Sequence, residues 1–389
     1  MVKVTLNFPR DSTFLSNVLY EGLLFSTQFS PAKFEGDVLE LPDDFIVRAV
    51  KSLNEDRVNG LRVAMSGNDN VNRKLFEISK INDQSRKTYY DLLSKVKGYA
   101  DSFICKKDVV QLAINFKRRD MIIDDKELAA PQLLKVDRYT GISSLESGYT
   151  SQQVTIYSSK EVLLLFLLGM YSSFVTSTRQ QNQQYYFFLT FAPEEIESML
   201  SNVEDKEYVR KLFRTKDGII AALSEAINRT TINEAILLEV YLNIEIRRLM
   251  EKENLDKIST ILFKIAPEGQ TYKIYEQIPI TVYRESQEFY EVVRKYFKNP
   301  EEFLEHLSSI LDPNGVIFDA LRNINKYDEA NNILKAVQGL YTFIVLGDVS
   351  GWYVFLREMN NACRKLESGT KASEKRRHSK YVEVLKALS

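Results

Sequence analysis

Segments with the composition of β-strands are confined mainly to one part of this chain, and this distribution limits its fold more than any other feature. Five short stretches rich in β-branched and aromatic residues follow an opening strand before residue 192. They are AKFEGDVLEL, LRVAM, VVQLAINF, QQVTIY and YYFFLTF. The opening strand is indicated by the alternation of apolar and polar residues from Val2 to Phe8.

Apolar residues at helical spacing lie between these strand candidates. The first such run begins at Phe14 and follows Asp11 and Ser12, either of which can cap a helix. Further helices are predicted over 45–53, 71–81, 87–103 and 159–175. The first half is therefore expected to mix α and β structure.

After Pro193 the pattern becomes mainly helical. Thr231 and Glu234 have the spacing of a capping box, and Asn299–Pro300 is a typical helix start. One exception is YKIYEQIPITVY at 272–283, whose internal proline predicts a hairpin or an edge strand.

The carboxy-terminal helices complete the predicted organisation. Gly347–Asp348 separates two helices and is short enough to join an antiparallel pair. Beyond residue 367 the composition predicts a basic linker, then a short terminal helix containing Tyr381. We predict an α+β fold with a mixed domain at 1–191, a mainly helical domain at 192–367 and this tail at 368–389.

Residues that commonly carry catalysis are scarce. The 389 residues include two histidines, His306 and His378, and two cysteines, Cys105 and Cys363. No CxxC, Walker or GxGxxG motif is present, so we expect no catalytic residue, metal or cofactor. Carboxylate chemistry stays open, although the aspartates of RRDMIIDDKE are more typical of a charged turn than of a Mg²⁺ site.

Cysteine content and the lengths of the apolar segments also indicate where in the cell the protein is expected. Two distant cysteines are typical of a reducing cytoplasm, and the first residues lack the apolar core of a signal peptide. The longest apolar run, 162–170, is about half the length of a membrane span. We therefore expect a cytoplasmic protein that does not enter a membrane.

Positive charge is concentrated in two windows. The net charge is −1, yet residues 73–119 carry twelve Lys and Arg against five Asp and Glu, and residues 364–380 carry seven against two. Clustered cations of this kind favour salt-sensitive binding to phosphates, although a solvated surface or an acidic protein partner would need the same residues. The candidate contacts are Lys106, Lys107, Lys117, Arg118, Arg119, Lys371, Lys375, Arg376, Arg377 and Lys380.

A polar segment, TSTRQQNQQ, separates the apolar stretch 161–174 from the strand YYFFLTF. Arginine, asparagine and glutamine side chains can read base edges or groove width, so this segment is a candidate duplex-reading loop. A plain solvated connection is the alternative. Its candidate residues are Arg179, Gln180, Gln181, Asn182, Gln183 and Gln184.

Taken together, the sequence features of this chain resemble those of the large-subunit family of archaeal type I-A CRISPR surveillance (Cascade) complexes. The resemblance rests on TFLSNVLYEGLLF, FSPAKFEGDVLELPDD, APQLLKVDRYTGISSLE and the change to a helical second half. It implies a noncatalytic subunit in antiviral defense that helps hold guide RNA, engages target DNA and positions a partner nuclease-helicase. In such complexes the guide supplies most of the sequence recognition.

Two classes of function remain open from sequence. The first is RNA-binding and DNA-binding within a multiprotein complex, with other surveillance-complex subunits as partners. The alternative is a helical protein-protein scaffold that does not touch nucleic acid.

Overall fold

A computed structural model describes residues 1–64, 88–117, 120–140, 155–180, 182–269, 271–284, 287–312 and 315–388. The chain forms two compact units, Met1–Arg214 with Ser259–Ile280 and Thr215–Ile258 with Thr281–Ser389. The division differs from the predicted limits at 191 and 367 because a β-hairpin returns the chain to the first unit. The predicted helix at 71–81 lies outside the described residues.

The first sheet of the first unit confirms the opening strand, and the strand candidate AKFEGDVLEL forms a hairpin of two short strands. Its strands are β1 Val2–Leu6, β2 Lys33–Glu35, β3 Val38–Leu41 and β4 Val109–Leu112. They lie in the order β2-β3-β1-β4, with β1 antiparallel to β3 and parallel to β4. Gly36 has a φ of 62° in the two-residue turn between β2 and β3, a conformation that glycine adopts without strain.

The second sheet corrects the prediction for VVQLAINF, which is not one strand. Its strands are β5 Ile114–Lys117, β6 Asp120–Ile123, β7 Leu128–Ala129 and β8 Thr155–Ser158, in the order β5-β6-β8-β7. The chain leaves the first sheet at Ala113, whose N–H donates to the carbonyl oxygen of Gln111 at 2.9 Å. LRVAM was also predicted as a strand, but its described part forms only a single bridge, from Ala64 to Thr88.

The third sheet contains the long strands of the chain. They are β9 Phe174–Gln180, β10 Gln183–Phe191, β11 Lys257–Glu268 and β12 Thr271–Tyr283. The order β12-β11-β10-β9 confirms that the proline-containing segment at 272–283 is an edge strand. Pro279 is tolerated there because an edge strand has one row of backbone groups outside the ladder.

The helices of the first unit pack beside these sheets. They are α1 Phe14–Thr27, α2 Phe45–Lys51, α3 Glu55–Gly60, α4 Tyr89–Gly98, α5 Lys160–Ser173 and α6 Pro193–Ser201, with 3-10 helices at Ala100–Phe103 and Gln132–Thr140. The cap of α1 is Thr13, which accepts the N–H of Ser16 at 3.2 Å, so neither Asp11 nor Ser12 takes this position. Asp11 instead accepts the N–H of Thr13 at 3.0 Å.

Helix α1 is buried along its whole length. The Phe14 ring meets the rings of Phe188 and Phe263 edge to face, with centroids 5.2 and 5.3 Å away. Gly22 of α1 faces Gly169 of α5 so closely that an added Cβ on either residue would overlap backbone of the other helix. The two helices are therefore in backbone contact at the centre of the first unit.

The second unit is mainly helical. Helix α7, Lys206–Arg229, begins in the first unit, and the helices that follow are α8 Asn233–Leu242, α9 Ile244–Lys252, α10 Gln287–Tyr296, α11 Pro300–Ile310, α12 Val316–Arg322, α13 Ala330–Leu346, α14 Val349–Glu367 and α15 Ala372–Ala387. The predicted capping box is wrong: α8 begins at Asn233, with Ile232 at its cap. The predicted start at Asn299–Pro300 is confirmed, since Asn299 accepts the N–H of Glu302.

The predicted pair of terminal helices is also confirmed. Gly347 ends α13 with a φ of 68°, which allows the tight reversal into α14. Gly339 and Gly351 let the two helices approach each other closely. The apolar side chains along this pair form the core of the second unit, together with residues such as Leu307 and Tyr381.

Residues 372–380 were predicted as part of a linker, and this prediction is wrong. They form the first half of α15, which starts after a short connection at 368–371. Tyr381 is completely buried, so one side of the basic segment is fixed against the helical core. Overall the fold is α+β, and none of the described helices is long and apolar enough to cross a membrane.

Candidate nucleic-acid interface

The polar segment at 176–184 is a β-hairpin rather than the predicted loop. Strands β9 and β10 pair up to Gln180 and Gln183, and Asn182 takes a left-handed φ of 73° at the tip. Asparagine tolerates this conformation better than most residues, which suits it to a two-residue turn. Gln181 lies outside the described residues, and only the backbone of Gln180 is described.

The tip of this hairpin borders an open groove of about 910 Å³, here called the hairpin groove. Four of the predicted residues line it. They are Arg179, Asn182, Gln183 and Gln184. Sequence reasoning missed Arg62 after α3 and Tyr275 on β12, which add a second cation and an aromatic ring to the lining. Glu268 also lines the groove, where its carboxylate pairs with Lys273 at 3.6 Å. The structure thus brings together residues from three separate parts of the chain.

Both arginines of the hairpin groove are exposed. Arg62 donates to the carbonyl oxygen of Asn59 at 3.4 Å, and Arg179 lies 3.5 Å from Oδ1 of Asn182. Among the described residues neither has an acidic partner. Their charge is therefore not neutralised by an ion pair within this part of the protein.

The side of the groove near β12 is more tightly organised. Gln183 donates its amide N–H to the Tyr275 hydroxyl at 2.9 Å, and the Tyr275 ring meets Tyr185 edge to face at 5.5 Å. Lys264 lies over the Tyr185 ring at 4.9 Å while pairing with Glu276 at 2.7 Å. Tyr275 remains 42% exposed, so it presents an aromatic surface beside the two arginines.

The first basic window is divided by the fold. Lys106 precedes β4, whereas Lys117 ends β5 in another sheet, and both side chains are exposed. Lys107 is held by Asp124 at 2.8 Å and Asp125 at 3.1 Å. Its partial burial lowers the pKa, but the two carboxylates outweigh this and raise the pKa to about 12. Arg118 and Arg119 lie outside the described residues.

The aspartates of this region serve as partners for lysines. Besides the pair that Asp124 and Asp125 make with Lys107, Asp120 pairs with Lys126. Asp124 also accepts the N–H of Gln111 at 2.9 Å. Among the described residues, no group of three or more His, Cys, Asp or Glu is arranged to hold a metal ion.

The tail cations are gathered on one helix beside a second concavity. Arg376, Arg377 and Lys380 line a cavity of about 530 Å³ between α12 and α15, here called the α15 cavity, which Arg322 also lines. Lys375 is exposed on α15 but does not line it. Lys371 precedes the helix, where its ammonium pairs with Glu374 at 3.4 Å.

The comparisons with known proteins give one relative. No protein-family model matches the chain, and no solved structure does. A protein of Archaeoglobus fulgidus, described only as an uncharacterized protein, is 51% identical over 397 aligned positions that cover 100% of both chains. The chain therefore belongs to the same family as this Archaeoglobus fulgidus protein.

Proposed function

We propose that this chain is a noncatalytic nucleic-acid-binding protein and that the hairpin groove is its principal contact. One observation carries the proposal: Arg62 and Arg179, distant in sequence, meet at one groove without an acidic partner among the described residues. Guanidinium groups in this state can bind phosphate oxygens and release condensed counterions.

The neighbouring amides extend what the groove can recognise. Asn182, Gln183 and Gln184 each carry both donor and acceptor atoms, the combination that reads base edges. The hairpin fixes their backbone, and this lowers the entropy lost when a ligand is bound. The groove thus combines charge for the backbone with polar groups for the bases.

The biological setting we propose is a CRISPR surveillance complex in the cytoplasm. This part of the proposal is supported by the sequence resemblance to its large-subunit family. There the chain would help hold guide RNA and engage target DNA, while a partner nuclease-helicase carries out the cleavage.

The double substitution Arg62→Glu with Arg179→Glu tests the groove. We expect it to weaken binding of a 20-base-pair DNA duplex or a guide-length RNA by about tenfold or more, because two phosphate contacts become repulsive. Fluorescence anisotropy on the full chain, alone and with reconstituted partners, measures this.

A matched control for that experiment is Lys252→Glu with Lys298→Glu. Both lysines are exposed and lie outside the two cavities described above. This control changes the net charge by the same amount and should leave the affinity within about threefold. Equal losses for both double variants would attribute binding to overall charge and contradict the assignment to the groove.

The helical scaffold remains the second candidate, and exposed apolar side chains favour it. Leu346 and Tyr353, near the connection between α13 and α14, are 59% and 68% exposed. Contacts with a protein partner would bury such groups. Co-purified protein without RNA, unchanged by nuclease treatment, would support this function over nucleic-acid binding.

A further inference from the structure

Four residues of α15 form a polar stripe that borders the α15 cavity. Ser373, Arg376, Arg377 and Lys380 recur at the three- and four-residue spacing that places side chains on one face of a helix. The cavity is closed on the other side by α12, which contributes Asp319 and Arg322. Four cations and one carboxylate therefore line a single concave surface.

Arg377 is fixed in position by two neighbours. Its Nε–H donates to Oε1 of Glu329 at 2.6 Å, and its guanidinium lies over the Tyr327 ring, 3.8 Å from the centroid. Glu329 is 1% exposed, so this pair is shielded from water and salt. The terminal Nη groups of Arg377 have no acceptor among the described residues. A preorganised guanidinium with unfilled donors is well suited to bind an oxyanion.

Arg376 and Lys380 add charge that is not neutralised locally. Neither has a hydrogen bond or ion pair to any residue in the described part of the chain. The carboxylate of Asp319 is engaged by the Asn323 amide at 3.2 Å, and Arg322 donates from Nε to the Arg229 carbonyl oxygen at 3.2 Å. The four cations of the cavity thus outnumber the two nearby carboxylates, Asp319 and the Glu329 that pairs with Arg377, so the cavity has an excess of positive charge.

We propose that the α15 cavity binds a phosphate monoester, the doubly charged phosphate group of a mononucleotide or of a phosphorylated nucleic-acid end. A concave site that gathers several cations matches one dianion better than a phosphodiester chain, whose single charges are spread along its length. Charged and polar residues predominate in the lining of this 530 Å³ cavity, to which Val316, Tyr327 and Ala372 add apolar surface. This site lies in the second unit and does not depend on the hairpin groove.

Binding of AMP and of adenosine to the full chain separates the phosphate from the nucleoside. Isothermal titration should give one AMP site per chain and at least about tenfold weaker binding of adenosine, because only AMP carries the dianion. Arg376→Glu and Lys380→Glu should each weaken AMP binding about tenfold or more. Neither side chain has a hydrogen bond or ion pair within the described part of the chain, so these variants are expected to fold, which thermal melting by circular dichroism checks.

The matched control is Lys375→Glu, which reverses the same charge on the same helix outside the cavity. It should change AMP affinity by less than about threefold. Equal affinity for AMP and adenosine, equal losses in Lys375→Glu and Arg376→Glu, or no saturable AMP binding up to about 10 mM would overturn the proposal.

Two sources of the phosphate are distinguished with a ten-nucleotide oligomer carrying either a 5′-phosphate or a 5′-hydroxyl. Tighter binding of the phosphorylated oligomer than of AMP, lost in Arg376→Glu, identifies a nucleic-acid end as the ligand. Equal affinity for the phosphorylated oligomer and AMP identifies a mononucleotide. If the hydroxyl oligomer binds as tightly as the phosphorylated one and Arg376→Glu weakens both, the cavity contacts a phosphodiester backbone and the monoester assignment is wrong.

Discussion

At the scale of single residues, Lys216 of the second unit combines a basic side chain with complete burial. Its side chain is completely buried in α7, and this burial lowers its pKa from 10.5 to about 7 although Asp217 opposes the shift. A lysine in such surroundings loses its proton more readily in the folded state than in the unfolded chain. Its contribution to stability must therefore change with pH.

The sign of that change follows from proton linkage. Between about pH 7 and 10.5 the unfolded chain binds more protons at Lys216 than the folded chain does, so the free energy of unfolding rises with pH over this window. In Lys216→Met this contribution is absent. Urea denaturation at pH 6, 7.5 and 9 should show the wild type gaining stability relative to Lys216→Met as the pH rises, whereas a constant difference would contradict the assignment. Lys252→Met, at an exposed position, is the control.

Only some of the residues that line the two candidate sites could be predicted from the sequence. Arg179, Asn182, Gln183 and Gln184 were identified because they form one polar run. Arg62 was missed because the sequence around α3 contains no pattern that predicts a tertiary contact with a hairpin more than a hundred residues away. Arg322 was missed for the same reason, since its position opposite α15 is a tertiary contact.

At the scale of elements, paired glycines set the distance between helices. An added Cβ at Gly22 would overlap the carbonyl oxygen of Leu165 in α5, and backbone atoms cannot move aside as side chains do. We expect Gly22→Ala to cost at least about 3 kcal/mol in the free energy of unfolding, measured by urea denaturation. Gly60→Ala in α3 is the control, because its Cβ would meet nothing within 4 Å. Equal stability of the two variants would contradict close packing of α1 on α5.

The α15 helix provides a second test at this scale. Tyr381 anchors it in the core, and its burial, more than any other contact, distinguishes the helix from the linker predicted by composition. Tyr381→Ala should release α15 because removal of a buried aromatic ring costs roughly 3–5 kcal/mol. Limited trypsin digestion should then cleave after Arg376 or Arg377 much faster than in the wild type. Tyr353→Ala, at a residue 68% exposed, should digest at the wild-type rate, and a wild-type rate for Tyr381→Ala would show that α15 is held by other contacts.

Local patterns predicted elements well where the information is local. The Asn299–Pro300 start and the glycine after α13 each use backbone chemistry that a few adjacent residues specify. VVQLAINF was misread because its composition is that of one strand, whereas the chain leaves the first sheet at Ala113 and Asp124, outside the segment, accepts the N–H of Gln111. The basic tail was misread because charge suggested solvent on all sides, although Tyr381 faces the core.

At the scale of the whole molecule, alternation and helical periodicity predicted the α+β class but not the limits of the two units. Strands β11 and β12 follow the helices α7 to α9 in sequence, yet most of their length belongs to the first unit. Strand pairing with β10 and contacts such as that of Phe263 with Phe14 hold this return in place, and a single sequence does not reveal contacts over such a distance. The charge pattern likewise indicated two basic windows in the sequence. It did not predict which of their cations lie together on a concave surface, because that depends on tertiary structure.

The central claim is that the hairpin groove binds nucleic acid through its two arginines. The most direct measurement is the affinity of the full chain for a DNA duplex and for guide-length RNA as salt concentration is raised, alone and with reconstituted partners. We predict saturable binding whose log–log salt slope for the duplex is about two units shallower in Arg62→Glu with Arg179→Glu than in the wild type. The absence of saturable binding in either setting, or an unchanged slope in this variant, would contradict it.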